Sequence, residues 1–374
     1  MKKSNNIFSI LFLIFIFFFF LYNMFVEDKM FSYNENRELA QQPELSLKTI
    51  SDGTYMENIE VYVNDQIALR DNFVKLSTNV KLLLGQREIN DVYVADDYLI
   101  DKFSKSKVDE KLLEKNLGYI EEFMSKYDNS YISIIPTSTE ILEYKLSKYV
   151  DNVNQKEIIE RIVQGKNNID IYSKLFEHNM EDIYYRTDHH WTSLGAYYGY
   201  VSICDKLGLS TIDLEDFNVE VIDNKFSGTI QSKVNLDFGY DTLYKYTVKG
   251  LQPKYQRVVD ENFNDASDSL YDESKLKTKE KYAVYIGGNS AITRIYSENI
   301  KEDKGRLLLI KDSYSHSLVP FLTNHYSEIV LIDLRYFNMS LNQFLQEENE
   351  FNDILLIWNL ANFVENRTLI KLIK

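Results

Sequence analysis

From Ile7 to Phe25 the chain is apolar except for Ser9, Tyr22 and Asn23. These nineteen residues would reach about 28 Å as a helix, close to the ~30 Å hydrocarbon core of a bilayer. In lipid the backbone must satisfy its own hydrogen bonds, so a lone segment of this kind can only be a helix. Lys2 and Lys3 precede the run, and Glu27 and Asp28 succeed it. That asymmetry predicts a cytoplasmic N-terminus with the remaining chain outside the membrane. Tyr22-Asn23-Met24-Phe25 offers bulky residues where a signal-peptide cleavage site needs small ones. An uncleaved signal anchor is therefore expected ahead of a cleaved signal peptide.

In a chain of 374 residues, the part beyond the anchor is long enough for one large domain or two. The net charge of -15 argues against nucleic acid, which requires basic surface. The single cysteine, Cys204, excludes an intramolecular disulfide and a metal site built from several thiolates. It sits within a helical apolar pattern and reads as a small buried hydrophobe. Tyrosine is abundant at 28 residues, most of them expected in core or strands, some available for carbohydrate or protein contacts.

Residues 27 to about 50 are polar and read as a tether. Helical periodicity through Tyr55, Ile59, Tyr62, Leu69, Phe73, Leu76, Val80 and Leu83 predicts two helices, the second ended by Gly85. Asp91–Leu99 suggests strands, and Val108–Tyr127 an amphipathic helix. Tyr131–Ile135 is a short apolar run stopped by Pro136, suited to a strand buried on both faces. Glu157–Val163 reads as helix, Ile169–Tyr172 as strand, Tyr184 and Tyr185 as a short strand, and Leu194–Leu207 as a helix stopped by Gly208. Residues 210 to about 303 break the alternation and are read as an insertion, with a β-hairpin over Tyr282–Tyr296 around a Gly-rich turn. The turn is no phosphate loop, because no Lys-Ser/Thr follows it. Strands return at Arg306–Ile310, Glu328–Ile332 and Ile354–Trp358. Alternating strands and helices predict an α/β layered domain with a parallel sheet. The expected organisation is a cytoplasmic tip and anchor over 1–26, a tether with helices over 27–85, and an α/β domain over 86–374.

Two stretches carry chemistry. In Asp188-His189-His190, an aspartate two residues before a histidine can hold the imidazole Nδ1–H and leave Nε2 free to take a proton from a hydroxyl. The same residues could equally form a polar N-cap with a surface histidine. Lys311-Asp312-Ser313 follows a strand and precedes a helix, a position that exposes a nucleophilic Oγ beside backbone N–H groups. A capping serine is the plain alternative there. A serine and a histidine at the C-terminal edges of strands in one sheet would meet at the same rim.

Thr187-Asp188-His189-His190-Trp191 with the downstream Asp312-Ser313 turn resembles the DHHW family, which is related to alginate O-acetylation proteins carrying an SGNH-hydrolase-like domain. Glu35-Asn36-Arg37-Glu38-Leu39-Ala40, Asp65-Gln66-Ile67-Ala68-Leu69-Arg70-Asp71 and Ile332-Asp333-Leu334-Arg335-Tyr336 also resemble that family. The resemblance implies a three-layer α/β/α fold in which acid and base precede the serine, a permuted order. It implies Asp188 as orienter, His190 as base and Ser313 as nucleophile. Lys311 stands where many relatives have glycine. The N–H groups near Ser313 and Tyr314 are candidate oxyanion donors. Asn359 and Asn362 are further candidates, although neither stands in a Gly-x-Asn setting. Arg335 and Tyr336 could contact substrate. His189 and Trp191 would shape the site, Trp191 by filling core in preference to stacking on sugar.

The expectation is a membrane-anchored O-acetyltransferase of an extracellular polysaccharide, with neither cofactor nor metal. A multi-spanning membrane acyltransferase of the MBOAT type is the partner that the resemblance implies. Three rivals stand beside it: a carbohydrate esterase using the same triad, a non-catalytic scaffold or glycan-binding partner, and a metal-dependent hydrolase. Asp-His-His also begins the signature of the DHH phosphoesterases, but no early Asp-x-Asp accompanies it, and His178, His316 and His325 follow no zinc spacing.

Overall fold

A computed structural model describes residues 2–374, with side-chain surroundings given from Ile7 onward. The two lysines behind the orientation expectation lie outside those described side chains. The chain divides into two compact units.

The first unit comprises Met1–Ile89 and Ser232–Asp237. Helix α1 (Lys2–Phe25) contains Ile7–Phe25, the one helical stretch among the described residues that is long and apolar enough to cross a membrane. A short helix at Leu47–Ser51, capped by Ser46, precedes α2 (Thr54–Gln66) and α3 (Arg70–Leu83). The two motif stretches of this unit form one ionic clamp. Arg37 donates twice to Asp65, at 2.5 and 2.8 Å, and once to Glu35 at 2.7 Å. Glu35 also accepts from Arg70, and Asp65 from the Ala40 N–H. The Arg37 guanidinium brings the Asp65 carboxyl down to about 2.

The second unit comprises Asn90–Gln231 and Phe238–Lys374. Its centre is a six-stranded sheet of β1 (Ser130–Ile135), β2 (Lys254–Val259), β3 (Ile292–Glu298), β4 (Arg306–Lys311), β5 (Glu328–Ile332) and β6 (Asp353–Asn359), in the order β1-β6-β4-β5-β3-β2. The first four strands in that order run parallel, while β3 is antiparallel to both β5 and β2. The continuous apolar sequences of β4 and β6 follow from burial on both faces. Leu307, Leu309, Leu355 and Ile357 enter one core layer with Ala196, Tyr200 and Ile203 of helix α4 (Ser193–Leu207). Leu308, Ile310, Leu356 and Trp358 enter the other, with Leu113, Ile120 and Phe123 of the helix Glu110–Met124. Helix α4 starts where the Thr192 side chain accepts from the Gly195 N–H, and it ends at Gly208, whose φ of 66° suits glycine.

Three local expectations are corrected. Tyr184 and Tyr185 do not form a sheet strand. Tyr184 makes a single bridge to Trp191, because the loop between them folds back on itself, with the Tyr185 N–H on the His190 carbonyl. Ile171–Glu177 is helix where a strand was expected, since Asp170 caps it by accepting from the Ser173 N–H. Tyr282–Tyr296 is not a hairpin: Lys281–Val284 is a 3-10 turn, and the left-handed φ angles at Ile286, Gly287 and Gly288 turn the chain before β3 joins the main sheet. Two strands from residues 210–303, β2 and β3, thus extend the central sheet.

Candidate functional site

The site forms where the C-terminal end of β4 meets the loop before α4. Asp312 caps the 3-10 turn Ser313–Ser317, its Oδ1 accepting from the Tyr314 N–H at 3.0 Å. Its Oδ2 accepts from the Asn359 N–H at 2.8 Å and from Asn362 Nδ2 at 2.7 Å. The start of the serine turn is thereby tied to the end of the neighbouring β6. Burial pushes the Asp312 carboxyl up from its ordinary value.

His190 is hydrogen-bonded at both ring nitrogens. Nδ1 lies 2.6 Å from Asp188 Oδ1, and Nε2 lies 2.9 Å from Ser313 Oγ. Asp188 also accepts from the His190 N–H and, through Oδ2, from the N–H and hydroxyl of Thr229. Burial would raise this carboxyl, but the adjacent imidazoles and the hydrogen bonds from His190 and Thr229 outweigh it and hold it well below the usual carboxylate range. Burial, reinforced by His189, pushes His190 down to about 4 against the pull of Asp188. At neutral pH the pair is therefore an ionised aspartate and a neutral imidazole whose Nε2 can accept the serine proton.

The rest of the DHHW stretch holds this geometry. Trp191 is wholly buried and donates its Nε1–H to the Tyr314 carbonyl at 2.8 Å. The Tyr314 hydroxyl donates back to the His189 carbonyl. Two further bonds thus cross between the histidine loop and the serine turn. Thr187 is fixed by Asp241, which accepts from its N–H and its hydroxyl. His189, about one-third exposed, bonds Thr229 through Nδ1 at 2.7 Å and packs against one face of His190.

Several participants were not read from the sequence. Tyr282 stacks on His190 with ring centroids 3.8 Å apart and planes 13° apart. Together with His189 it sandwiches the imidazole. Thr229 satisfies Asp188, and Gly228 permits the approach: a Cβ there would lie 2.2 Å from the Asp188 Cβ. All three lie between residues 210 and 303, read as an insertion, and their spacing gives no linear signal. The buried Lys311 places Nζ 2.7 Å from His316 Nε2 and 3.8 Å from Asp333, and burial pushes its amine down to about 8.

Of the expected oxyanion donors, the Tyr314 N–H is engaged by Asp312. The Asn359 amide nitrogen donates to the carbonyls of Ile135 and Pro136. The Ser313 N–H opens its turn, where no intrahelical carbonyl reaches it. Arg335 is held by Asp333 at 2.6 and 2.9 Å, and its charge acts on both His190 and Asp312. Tyr336 is half exposed beneath the Arg335 guanidinium. Asp188, His189 and His190 also bring potential metal-ligand atoms within 4.8 Å of one another.

This combination defines an α/β protein with a serine hydroxyl hydrogen-bonded to a buried His-Asp pair. The sequence matches the family described as DHHW protein over residues 78–332, more than half of its length, and the chain belongs to that family. Its fold is similar to that of a DHHW family protein from Eubacterium siraeum, with a TM-score of 0.63 and 23% identity over 76% of this chain and 95% of that one. It is also similar to Bacillus cereus PatB1, with a TM-score of 0.59 and 20% identity over 74% and 97% of the two chains. The structure of PatB1 with a sulfonyl adduct gives 0.60 and 22% over 75% and 97%. No curated protein matches the sequence.

The electrostatics give a measurable expectation. A free histidine titrates near 6.5, whereas the His190 imidazole is expected to stay neutral in the folded protein until the pH falls to about 4. Asp188→Asn removes the negative neighbour that favours the imidazolium, so it should lower that value further. NMR titration of histidine-labelled protein reads both. A His190 that titrates at or above the ordinary value would contradict this description of the site.

Proposed function

We propose that this chain is a membrane-anchored, extracytoplasmic O-acetyltransferase of a polysaccharide, acting through Ser313, His190 and Asp188. The observation that carries this reading is the His190 ring, bonded on one side to a carboxylate and on the other to a hydroxyl at the end of a parallel strand. Family membership supports it, and a protein of similar fold has been solved with a sulfonyl adduct. In this reading residues 1–26 are the cytoplasmic tip and anchor, 27–85 a membrane-proximal segment, and 86–374 an SGNH-like catalytic domain of permuted motif order. Residues 210–303 are an insertion that completes its site.

The reaction proceeds in two steps. Ser313 Oγ attacks the acyl carbonyl while His190 Nε2 takes its proton, and Asp188 stabilises the imidazolium. The carbonyl oxygen becomes an oxyanion, met by the Ser313 N–H and the positive charge of Arg335. Collapse expels the donor's leaving group, which receives the proton from His190, and leaves an ester on Ser313. A sugar hydroxyl then attacks this ester, passing its proton to His190. The serine leaves with that proton, and acetylated sugar is released. A membrane-bound acyltransferase supplying acyl groups from the cytoplasmic side fits an enzyme anchored in this orientation. If water replaces the sugar, the same residues make an esterase.

On an activated acetyl ester, Ser313→Ala and His190→Ala should lose most turnover and Asp188→Ala somewhat less; in a well-studied serine protease the losses are ~10⁶ and ~10⁴. Near-normal turnover by Ser313→Ala would remove the nucleophile assignment. A sugar acceptor must outcompete ~55 M water, which requires positioning. Adding neutral and acidic oligosaccharides to donor and enzyme should therefore yield acetylated sugar by mass spectrometry. Free acetate alone, together with ready de-esterification of acetylated polymers, would make the protein an esterase.

The close ligand atoms of Asp188, His189 and His190 give a metal-dependent hydrolase a second reading. Chelation is expected to leave turnover unchanged, because the proposed chemistry needs none. A stoichiometric metal lost together with activity would favour the second reading.

A further inference from the structure

Helix α3 carries an apolar stripe that the described residues leave largely exposed. Leu69, at its N-cap, and Phe73, Leu76, Val80, Leu83 and Leu84 are all at least 45% exposed, the last two above 80%. At 100° per residue they fall within an arc about 100° wide, the signature of an amphipathic helix. The opposite side of α3 is occupied: the buried Thr78 hydroxyl donates to the Val234 carbonyl, the Asp71 carbonyl accepts from Asn235, and Lys75 pairs with Asp237. The helix is therefore held in one rotational setting by its polar side, with the apolar stripe turned away. So many large apolar side chains on one exposed face mark a surface that is covered in use.

The first unit indicates what covers it. The Phe73 ring lies 6.0 Å from the Phe19 ring of α1. Phe19 is six positions inside the apolar span that ends at Phe25, which is about 9 Å along the helix axis. The Ala68 N–H donates to Asn23 Oδ1 at 2.7 Å, and Tyr62 bonds Asp28, so α2 and the turn that leads into α3 are bonded to the exit of α1. Wherever α1 crosses a bilayer, its own contact carries Phe73 below the surface of the hydrocarbon. Interfacial helices bury their apolar face to about 5–10 Å, the same depth.

We propose that α3 is an interfacial helix whose Leu69–Leu84 stripe lies in the outer leaflet of the membrane that α1 spans, which makes the first unit a membrane-seated platform instead of a free tether. This rests on the reading of α1 as a membrane span. The occupant is lipid, because the covering phase must begin at the depth of Phe19 and continue along the helix.

The test uses the full chain in lipid vesicles. Cys204 is wholly buried, so a cysteine introduced on the surface is the reactive thiol of the folded protein. Leu76→Cys, Leu83→Cys, Lys81→Cys on the polar flank, and Phe15→Cys in α1 are each labelled with an environment-sensitive fluorophore. They are then exposed to nitroxide lipids and to aqueous iodide. Probes at Leu76 and Leu83 should be quenched by a shallow nitroxide several-fold more than the probe at Lys81, and shielded from iodide. The Phe15 probe should respond to a deep nitroxide. If Phe15 is quenched by lipid while Leu76 and Leu83 are open to iodide, the interfacial helix is wrong and the anchor stands. If Leu76 and Leu83 are shielded from both quenchers, protein covers the stripe and the proposal is equally wrong. A Phe15 probe untouched by lipid would overturn the anchor itself.

Discussion

The site depends on a neutral, immobilised His190. An imidazole in water titrates near 6.5 and samples many orientations. Here burial pushes it down to about 4, and Asp188 fixes which nitrogen carries the proton. His189 and Tyr282 close its two faces, so Nε2 is directed at the Ser313 hydroxyl. Rotating the ring would break the bond to Asp188 and leave an ionised carboxylate buried with one partner fewer, which is costly in a dry interior. The surrounding bonds of Thr229, Asp241 and Trp191 serve this one orientation.

The serine side is fixed by the sheet. The parallel register of β4 with β6 places Lys311 opposite Ile357, and Asp312 then reaches the N–H of Asn359. Asp312 therefore acts as a brace between two strand ends, while Asp188 works on the histidine. The Trp191 indole and the Tyr314 hydroxyl join the two halves. The tryptophan closing the DHHW stretch fills core beside Gly195 and Gly199, as expected from the sequence, and its indole N–H ties that core to the serine turn.

Much of this was legible in the sequence, and the failures have physical causes. The strands at 131–135, 306–310, 328–332 and 354–358 could be read because a strand buried on both faces must be continuously apolar. The Asp-x-His pattern could be read because two-residue spacing lets a carboxylate reach the adjacent ring. Tyr282 and Thr229 could not, since stacking and capping across some forty to ninety residues leave no periodicity. The expected hairpin over 282–296 failed in its first arm, where the tyrosines pack against His190 and one another in place of a strand, while its second arm pairs with the central sheet. Asn359 looked available as a donor, but its amide nitrogen is turned to the carbonyls at the end of β1. The Arg37–Asp65 clamp was visible as two charged motifs, while their pairing required the fold.

The central claim is that Ser313 carries the acyl group. The direct measurement is intact-protein mass spectrometry, with peptide mapping, of protein mixed with an activated acetyl ester and quenched in acid during turnover. The account predicts one added acetyl group, located on Ser313, absent from Ser313→Ala and strongly diminished in His190→Ala. Turnover of the ester with no acetyl on Ser313, or with acetyl on another residue, would contradict it.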